Sequence, residues 1–163
     1  MNLRGNKMNI GYYKSLVGII EIQEEDGKIV GLKFTNCAQV VDNSSEVIRK
    51  CEEQLAEYFV GKRKEFELEM VLKGTKFQQK VWRELAKIPY GKTVSYREIA
   101  RNVGNEKAVR AVGTAIGRNP IAIIVPCHRV IGTDGSMTGY AYGVELKRKL
   151  LDLEKGKSCE FSA

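Results

Sequence analysis

Residues 18–34, "GIIEIQEEDGKIVGLKF", carry two β-rich apolar runs, 19–22 and 29–34, around a Glu-Asp-Gly turn. β-Branched residues flanking an acidic residue and a glycine predict a hairpin. The period then lengthens. In "SSEVIRKCEEQLAEYFVGK", Val47, Ile48, Cys51, Leu55, Tyr58 and Phe59 fall at helical spacing, which predicts an amphipathic helix that Gly61 stops. "FELEMVL" alternates again and predicts a last strand. The first half therefore reads as a small α+β unit.

The pattern changes at "LKGTKFQQ", and a boundary near Gly74 divides the chain into 1–74 and 75–163. Thr75 with Gln78 forms a capping box opening the helix "KFQQKVWRELAKI", which Pro89 and Gly91 end. Ser95 with Glu98 opens "SYREIARNV", and "GNEKAVRAVGTAIGRN" follows with Asn105 as the expected cap. Two helices joined through "VGN" fit a helix-turn-helix, a pattern that an ordinary αα-hairpin shares. The second of them is rich in small residues: Ala108, Ala111, Gly113, Ala115 and Gly117. Glycine inside a helix costs about 0.5–1 kcal/mol relative to alanine, so close approach of another body is implied. That body is either a packed helix or a groove as narrow as the DNA minor groove, about 6 Å wide.

Charge sharpens the division. Residues 1–74 hold 11 Lys and Arg against 12 Asp and Glu, whereas residues 75–163 hold 16 against 8. The excess of +7 thus belongs to the second half, which suits either a polyanion partner or a solvated basic face. The cysteines, Cys37, Cys51, Cys127 and Cys159, form no C-x-x-C pair, and a single histidine leaves no plausible structural zinc set. They read as thiols of a reducing compartment. No apolar run reaches the roughly 18 residues of a membrane span, and the start lacks a signal-peptide core. A soluble, intracellular protein without a bound metal is expected.

One short run carries chemistry. "AIIVPCHRVIG" places the only histidine, His128, directly after Cys127. A thiolate is the nucleophile, and at a free pKa of about 8.5 little of it exists at neutral pH, so an adjacent imidazole is a natural activator. By itself the pair is more often a buried thiol beside a hydrogen-bonded histidine.

The longer run from residue 75 to 156, through "VSYREIA", "RAVGTAIGRNP", "PCHRVIG", "TGYAYG" and "LLDLE", resembles the O6-alkylguanine-DNA alkyltransferases. The resemblance implies an α+β fold: a small ribonuclease H-like N-terminal domain, then a mainly helical C-terminal domain with a helix-turn-helix. It implies Cys127 as alkyl acceptor, His128 as the base that removes its proton through a water, and Glu154 as the carboxylate that orients His128. Asn119 resembles the residue tying the turn before Cys127, and Tyr96 the phenol near the flipped base and its phosphate. Arg110 resembles the finger that fills the emptied base stack. Asn105, Arg97 and Thr133 suit phosphate contacts, and Val130 and Tyr140 line the base pocket. Double-stranded DNA, entered by the minor groove, is the implied partner of a cytoplasmic monomer that needs no cofactor.

The same resemblance admits other classes. A non-catalytic module that only binds alkylated bases has the cysteine replaced, typically by tryptophan, whereas Cys127 is present here. A transcription regulator built on the helix-turn-helix would need a sensor or dimerisation segment, which the first half could supply, though it lacks the clustered cysteines of the family's metal-dependent regulator. On the "CH" pair alone a cysteine hydrolase, revealed by ester or peptide turnover, also stays open. Tyr142 stands where other members of the family carry glycine, and Ala141 lacks a hydroxyl found in some, differences that bear on alkyl size.

Overall fold

The computed structural model describes residues 7–39, 45–137 and 139–157. The chain forms two compact units, Met1–Val71 and Leu72–Ala163. In the first, strands β1 (Asn9–Ser15), β2 (Gly18–Glu25) and β3 (Lys28–Thr35) form an antiparallel sheet in chain order. The expected hairpin is β2–β3. Its two-residue loop places Asp26 at φ 50° and Gly27 at φ 79°, the paired positive values of a type I′ turn, whose twist matches that of the flanking strands. Helix α1 (Glu46–Phe59) is opened by Ser45, whose side chain accepts from the Ile48 N–H. It buries Ile48, Cys51, Leu55, Tyr58 and Phe59 and touches all three strands. Each fully buried side chain of this size is worth about 1.5–3 kcal/mol, so packing rather than propensity holds the helix in place.

Two features of this unit depart from the sequence expectation. Strand β1 escapes it because "NIGYYKS" shows no apolar alternation. Its Gly11 is nevertheless a packing residue: a Cβ there would lie 2.5 Å from Ile48 Cγ2. "FELEMVL", expected as a strand, makes only an isolated bridge, Met70 with Ile29. Upstream of that bridge the Gln54 side chain takes the place of a neighbouring strand. It accepts from the Glu67 N–H at 2.9 Å and donates to the Glu67 carbonyl at 3.2 Å, satisfying the backbone without a ladder.

The second unit is helical: α2 (Lys76–Ala86), α3 (Tyr96–Asn102), α4 (Val109–Gly117) and α5 (Val144–Glu154). Both halves of the Thr75–Gln78 capping box are present. Ser95 caps α3 by accepting from the Glu98 N–H. Trp82, buried on α2, donates its indole N–H to the Ala115 carbonyl at 2.8 Å, pinning α2 to α4. Asn105 does not cap α4. Its side chain accepts from the Lys107 N–H and its carbonyl from the Ala108 N–H, closing a separate turn so that α4 starts four residues later without a side-chain cap. The small residues of α4 divide between two faces. Ala115 is buried, whereas Arg110, Ala111, Thr114, Gly117 and Arg118 are exposed, and a Cβ at Gly113 or Gly117 would meet nothing within 4 Å. Among the described residues, no helix covers those glycines.

Two short parallel strands, β4 (Val94–Ser95) and β5 (Val130–Ile131), pair Val94 with Val130 and Ser95 with Ile131. They fasten the start of α3 to a 3₁₀ turn, Cys127–Arg129. The single pairing thus places Tyr96 and Cys127 on adjoining segments. No helix among the described residues is long and apolar enough to cross a membrane.

Candidate active site

Cys127 stands at the end of a tightly folded loop. The Ile124 N–H donates to the Ala122 carbonyl at 2.8 Å across Ile123, whose φ is 70°. This is a γ-turn about a β-branched residue in the left-handed region, where the strain is of order 1–3 kcal/mol. A second three-residue turn follows at Pro126, where the Cys127 N–H donates to the Val125 carbonyl at 2.8 Å. Asn119 spans the loop. Its amide donates to the Val125 carbonyl at 2.7 Å and its oxygen accepts from the Ile121 N–H at 3.0 Å. Ile121, Ala122, Ile123 and Val125 are buried, and that burial holds the strained segment in place.

Cys127 is 5% exposed. Burial pushes the Cys127 pKa up, and hydrogen bonds from Asn119 and Tyr140 and the charge of Lys147 pull against it. Cys51, buried in the first unit with an acid beside it, has no such help and is pushed up to about 12. The contrast singles out Cys127: it is the buried thiol surrounded by groups that favour its anion. The Tyr140 hydroxyl, buried beside the sulfur, has no nitrogen or oxygen partner among the described residues. Burial, then the neighbouring thiol, raises its pKa well above the usual phenol value.

Behind the thiol lies a buried ionic cluster. His128 Nε2 is 2.6 Å from Glu154 Oε2, with both side chains fully buried. Arg129 donates from Nε to Glu154 Oε1 at 2.8 Å, from Nη2 to Oε2 at 3.1 Å, and from Nη1 to the Ile88 carbonyl at 2.7 Å. Burial would raise the Glu154 carboxyl, but the hydrogen bonds and charges of His128 and Arg129 outweigh it and hold the group far below the carboxylate range. Burial lowers the His128 pKa despite Glu154, with Arg129 and Lys147 adding to the lowering. The pair therefore rests as carboxylate and neutral imidazole. An ionised carboxylate only accepts, so Nε2 carries the proton and Nδ1 keeps its lone pair. Nδ1 is buried and finds no partner among the described residues, the arrangement of a base awaiting a proton.

Tyr96 opens α3 and donates its phenol hydroxyl to the Gly139 carbonyl at 3.4 Å. Gly139, at φ 85°, has no room for a side chain, since a Cβ would lie 2.8 Å from that hydroxyl. Lys147, fully buried on α5, sets its ammonium 5.7 Å from the centre of the Tyr96 ring. Burial lowers its pKa, and the nearby thiol pulls the other way.

The structure thus gathers Cys127, His128, Glu154, Asn119, Tyr96 and Tyr140 into one neighbourhood, with Val130 buried on β5 beside it. Arg110, Asn105, Arg97 and Thr133 are exposed. Arg97 is already paired with Glu106 at 2.9 Å. Cys159 lies outside the described residues. Sequence reasoning missed Arg129 and Lys147, which look like surface charges in a basic chain. A signal existed for Lys147: with Leu150, Leu151 and Glu154 it completes one helical face at spacings of three and four, and all four are buried.

A buried cysteine, a neutral imidazole held by a carboxylate, and a basic helical unit together define a cysteine-nucleophile protein suited to a polyanionic substrate. The chain belongs to the 6-O-methylguanine DNA methyltransferase family: the DNA binding domain of that family matches residues 76–156 and its ribonuclease-like domain residues 8–72. A methylated-DNA–protein-cysteine methyltransferase of Methanosarcina acetivorans is 50% identical, over 76% of this chain and 85% of that protein. The enzyme of the same name from Mycobacterium bovis is 58% identical over 65% of this chain, a match spanning 64% of its own length. The solved Mycobacterium tuberculosis O6-methylguanine methyltransferase superposes with a TM-score of 0.80 at 40% identity, covering 94% of this chain and 96% of that one. A Mycobacterium tuberculosis OGT in complex with DNA gives 0.81 at 41% identity, covering 92% and 94%.

Proposed function

We propose that this chain repairs alkylated DNA directly, by one irreversible transfer of the alkyl group from O6-alkylguanine, or O4-alkylthymine, to Cys127. The observation that carries the reading is the buried Cys127 thiol on the strained turn, backed by the neutral His128 held on Glu154. His128 Nδ1 takes the Cys127 proton, through a water, as sulfur attacks the carbon on O6. The carbon–oxygen bond breaks, and the departing guanine anion is protonated from the Tyr96 phenol or from water. The product is a thioether, and the site supplies no second nucleophile to remove the alkyl group.

A base inside a duplex hides O6, so the nucleotide is extruded at a cost of a few kcal/mol. In this reading α3 and α4 act as a helix-turn-helix whose second helix enters the minor groove. The open face at Gly113 and Gly117 supports that placement, and Arg110 on the same helix fills the vacated stack. Asn105 and Thr133 contact the backbone, as does Arg97 once it is released from Glu106, while Val130 and Tyr140 line the base pocket. The protein works in the cytoplasm as a monomer. Tyr142, its ring 5.6 Å from that of Tyr140, narrows the pocket toward small alkyl groups.

Mixing the intact protein with a duplex containing O6-methylguanine tests the reading. One methyl mass per molecule, located on Cys127, is expected, and Cys127→Ala should accept none while still binding the duplex. Methyl on Cys37, Cys51 or Cys159 would refute the assignment.

A further inference from the structure

Glu154 orients His128 only while it is ionised, and a carboxylate with no exposed side-chain surface does not stay ionised unaided. Burial opposes the charge, and the neutral imidazole supplies one hydrogen bond and no counter-charge. Arg129 makes up the difference. Its fork reaches both carboxylate oxygens, at 2.8 and 3.1 Å, while Nη1 is anchored on the Ile88 carbonyl at 2.7 Å. The Gly91 N–H adds a longer contact to Oε1, at 3.3 Å. Glu154 Oε2 is thus shared by His128 Nε2 and by Arg129 Nη2, a group that can only donate, so the fork favours the ionised acid at both oxygens.

We propose that Arg129 is a positioning residue of the reaction: by occupying both oxygens of Glu154 it keeps that group ionised, and so fixes His128 as the Nε2–H tautomer whose Nδ1 is free to take the Cys127 proton. A protonated Glu154 could donate to Nε2 instead, moving the imidazole proton to Nδ1 and removing the base. Arg129 also stands close enough to His128 to oppose its protonation, so the imidazole remains neutral until the thiol gives up its proton. The inference rests on the alkyl-transfer reading for its consequence, but the tautomer is a property of the resting protein.

The other charged and titratable groups facing this pair are few. Lys147 on α5 acts on His128 and on Cys127, and Tyr140 and Tyr90 lie within electrostatic reach of Glu154. The Arg129 guanidinium is 5.8 Å from the centre of the Tyr90 ring. Arg129 is distinguished by its geometry: one guanidinium reaches both Glu154 oxygens at once.

The experiment uses the full chain with Arg129→Gln and Arg129→Lys. Because His128 is the only histidine, ring ¹⁵N NMR of the free protein reads its tautomer without assignment ambiguity. Wild type should show protonated Nε2 and bare Nδ1. Arg129→Gln should show the other tautomer or a mixture. In single-turnover methyl transfer, its rate should fall about tenfold or more at neutral pH, and its acid limb should move up by about one pH unit. Arg129→Lys, which restores charge without the fork, should fall between the two. Active fraction is read separately from the burst amplitude, so loss of folded protein is not mistaken for loss of rate, and the lysine variant serves if the glutamine variant does not fold. An unchanged tautomer and pH profile in the folded variants overturns the proposal. A wild-type protein with the stated tautomer but no methyl transfer would instead refute the alkyl-transfer reading and leave the role of Arg129 in place.

Discussion

Alkylation of Cys127 should weaken the fold that holds it. Cys127 is 5% exposed and its sulfur sits among Asn119, Tyr140 and Lys147, in an interior packed as densely as an organic crystal. A methyl group forced into such a site typically costs about 1–3 kcal/mol. It also removes the ionisable thiol that those three groups favour, so their contribution does not offset the insertion. The strain at Ile123 is held only by the surrounding burial and by Asn119, and it becomes easier to release when the sulfur is displaced. For a unit of the size of Leu72–Ala163, 1 kcal/mol corresponds to about 4–8 °C of melting temperature. Spent protein should therefore melt at least about 4 °C below fresh protein, and further below after transfer of a larger group. The assay is scanning calorimetry of protein reacted to completion with an O6-methylguanine duplex and freed of DNA, with Cys127→Ala carried through the same steps. Hydrogen exchange should quicken first over residues 119–130. Coincident melting of the fresh and methylated forms would mean that the pocket already holds room for the product, and the reasoning would fail.

Arg110→Ala should slow repair of duplex far more than reaction with the free alkylated base, which needs no extrusion; equal losses in single-turnover assays on both substrates would place Arg110 in the chemistry or the fold. Stability should also fall on acidification. The folded His128 pKa lies below its unfolded value of about 6.5, and that of Glu154 below about 4.3, so in each case the unfolded chain binds protons first. The His128 contribution is present above about pH 6.5 and is lost as pH falls toward its folded value. That of Glu154 is present above about pH 4.3 and is lost further down. A melting temperature of the second unit that stays flat from pH 7 to 4 would contradict the charge states assigned to the cluster.

Much of the architecture was legible because local and global preferences agree. The Thr75–Gln78 box, the Asp26–Gly27 turn and the apolar face of α1 each have a reason that is complete within a few residues. The "CH" pair was legible as a candidate for chemistry, but by itself it left an ordinary buried thiol open. What escaped depends on distant parts of the chain. Strand β1 is specified by its pairing with β2 and by the close approach of α1 to Gly11. "FELEMVL" alternates as a strand should, but Gln54 satisfies its backbone instead. Asn105 has the right side chain for a cap, yet an intervening turn moves the start of α4 beyond its reach. Arg129 is buried against Glu154 by a contact between distant segments that no periodicity announces, whereas the helical spacing that marks Lys147 is masked by its charge.

The uncovered glycines of α4 set two kinds of fitness against each other. Alanine in place of Gly113 would touch nothing within 4 Å in the free protein and should stabilise the helix by about 0.8–1 kcal/mol. If α4 seats in a narrow groove, the same methyl group should weaken the duplex complex. Melting temperature and DNA affinity of Gly113→Ala are then expected to move in opposite directions, and a gain in one with no loss in the other would show that the groove never meets this face. Selection for thermal endurance alone would fill this surface with alanine and leave a sturdier protein that finds fewer lesions. In the proposed reading, the bareness of the helix is stability withheld so that DNA can come close.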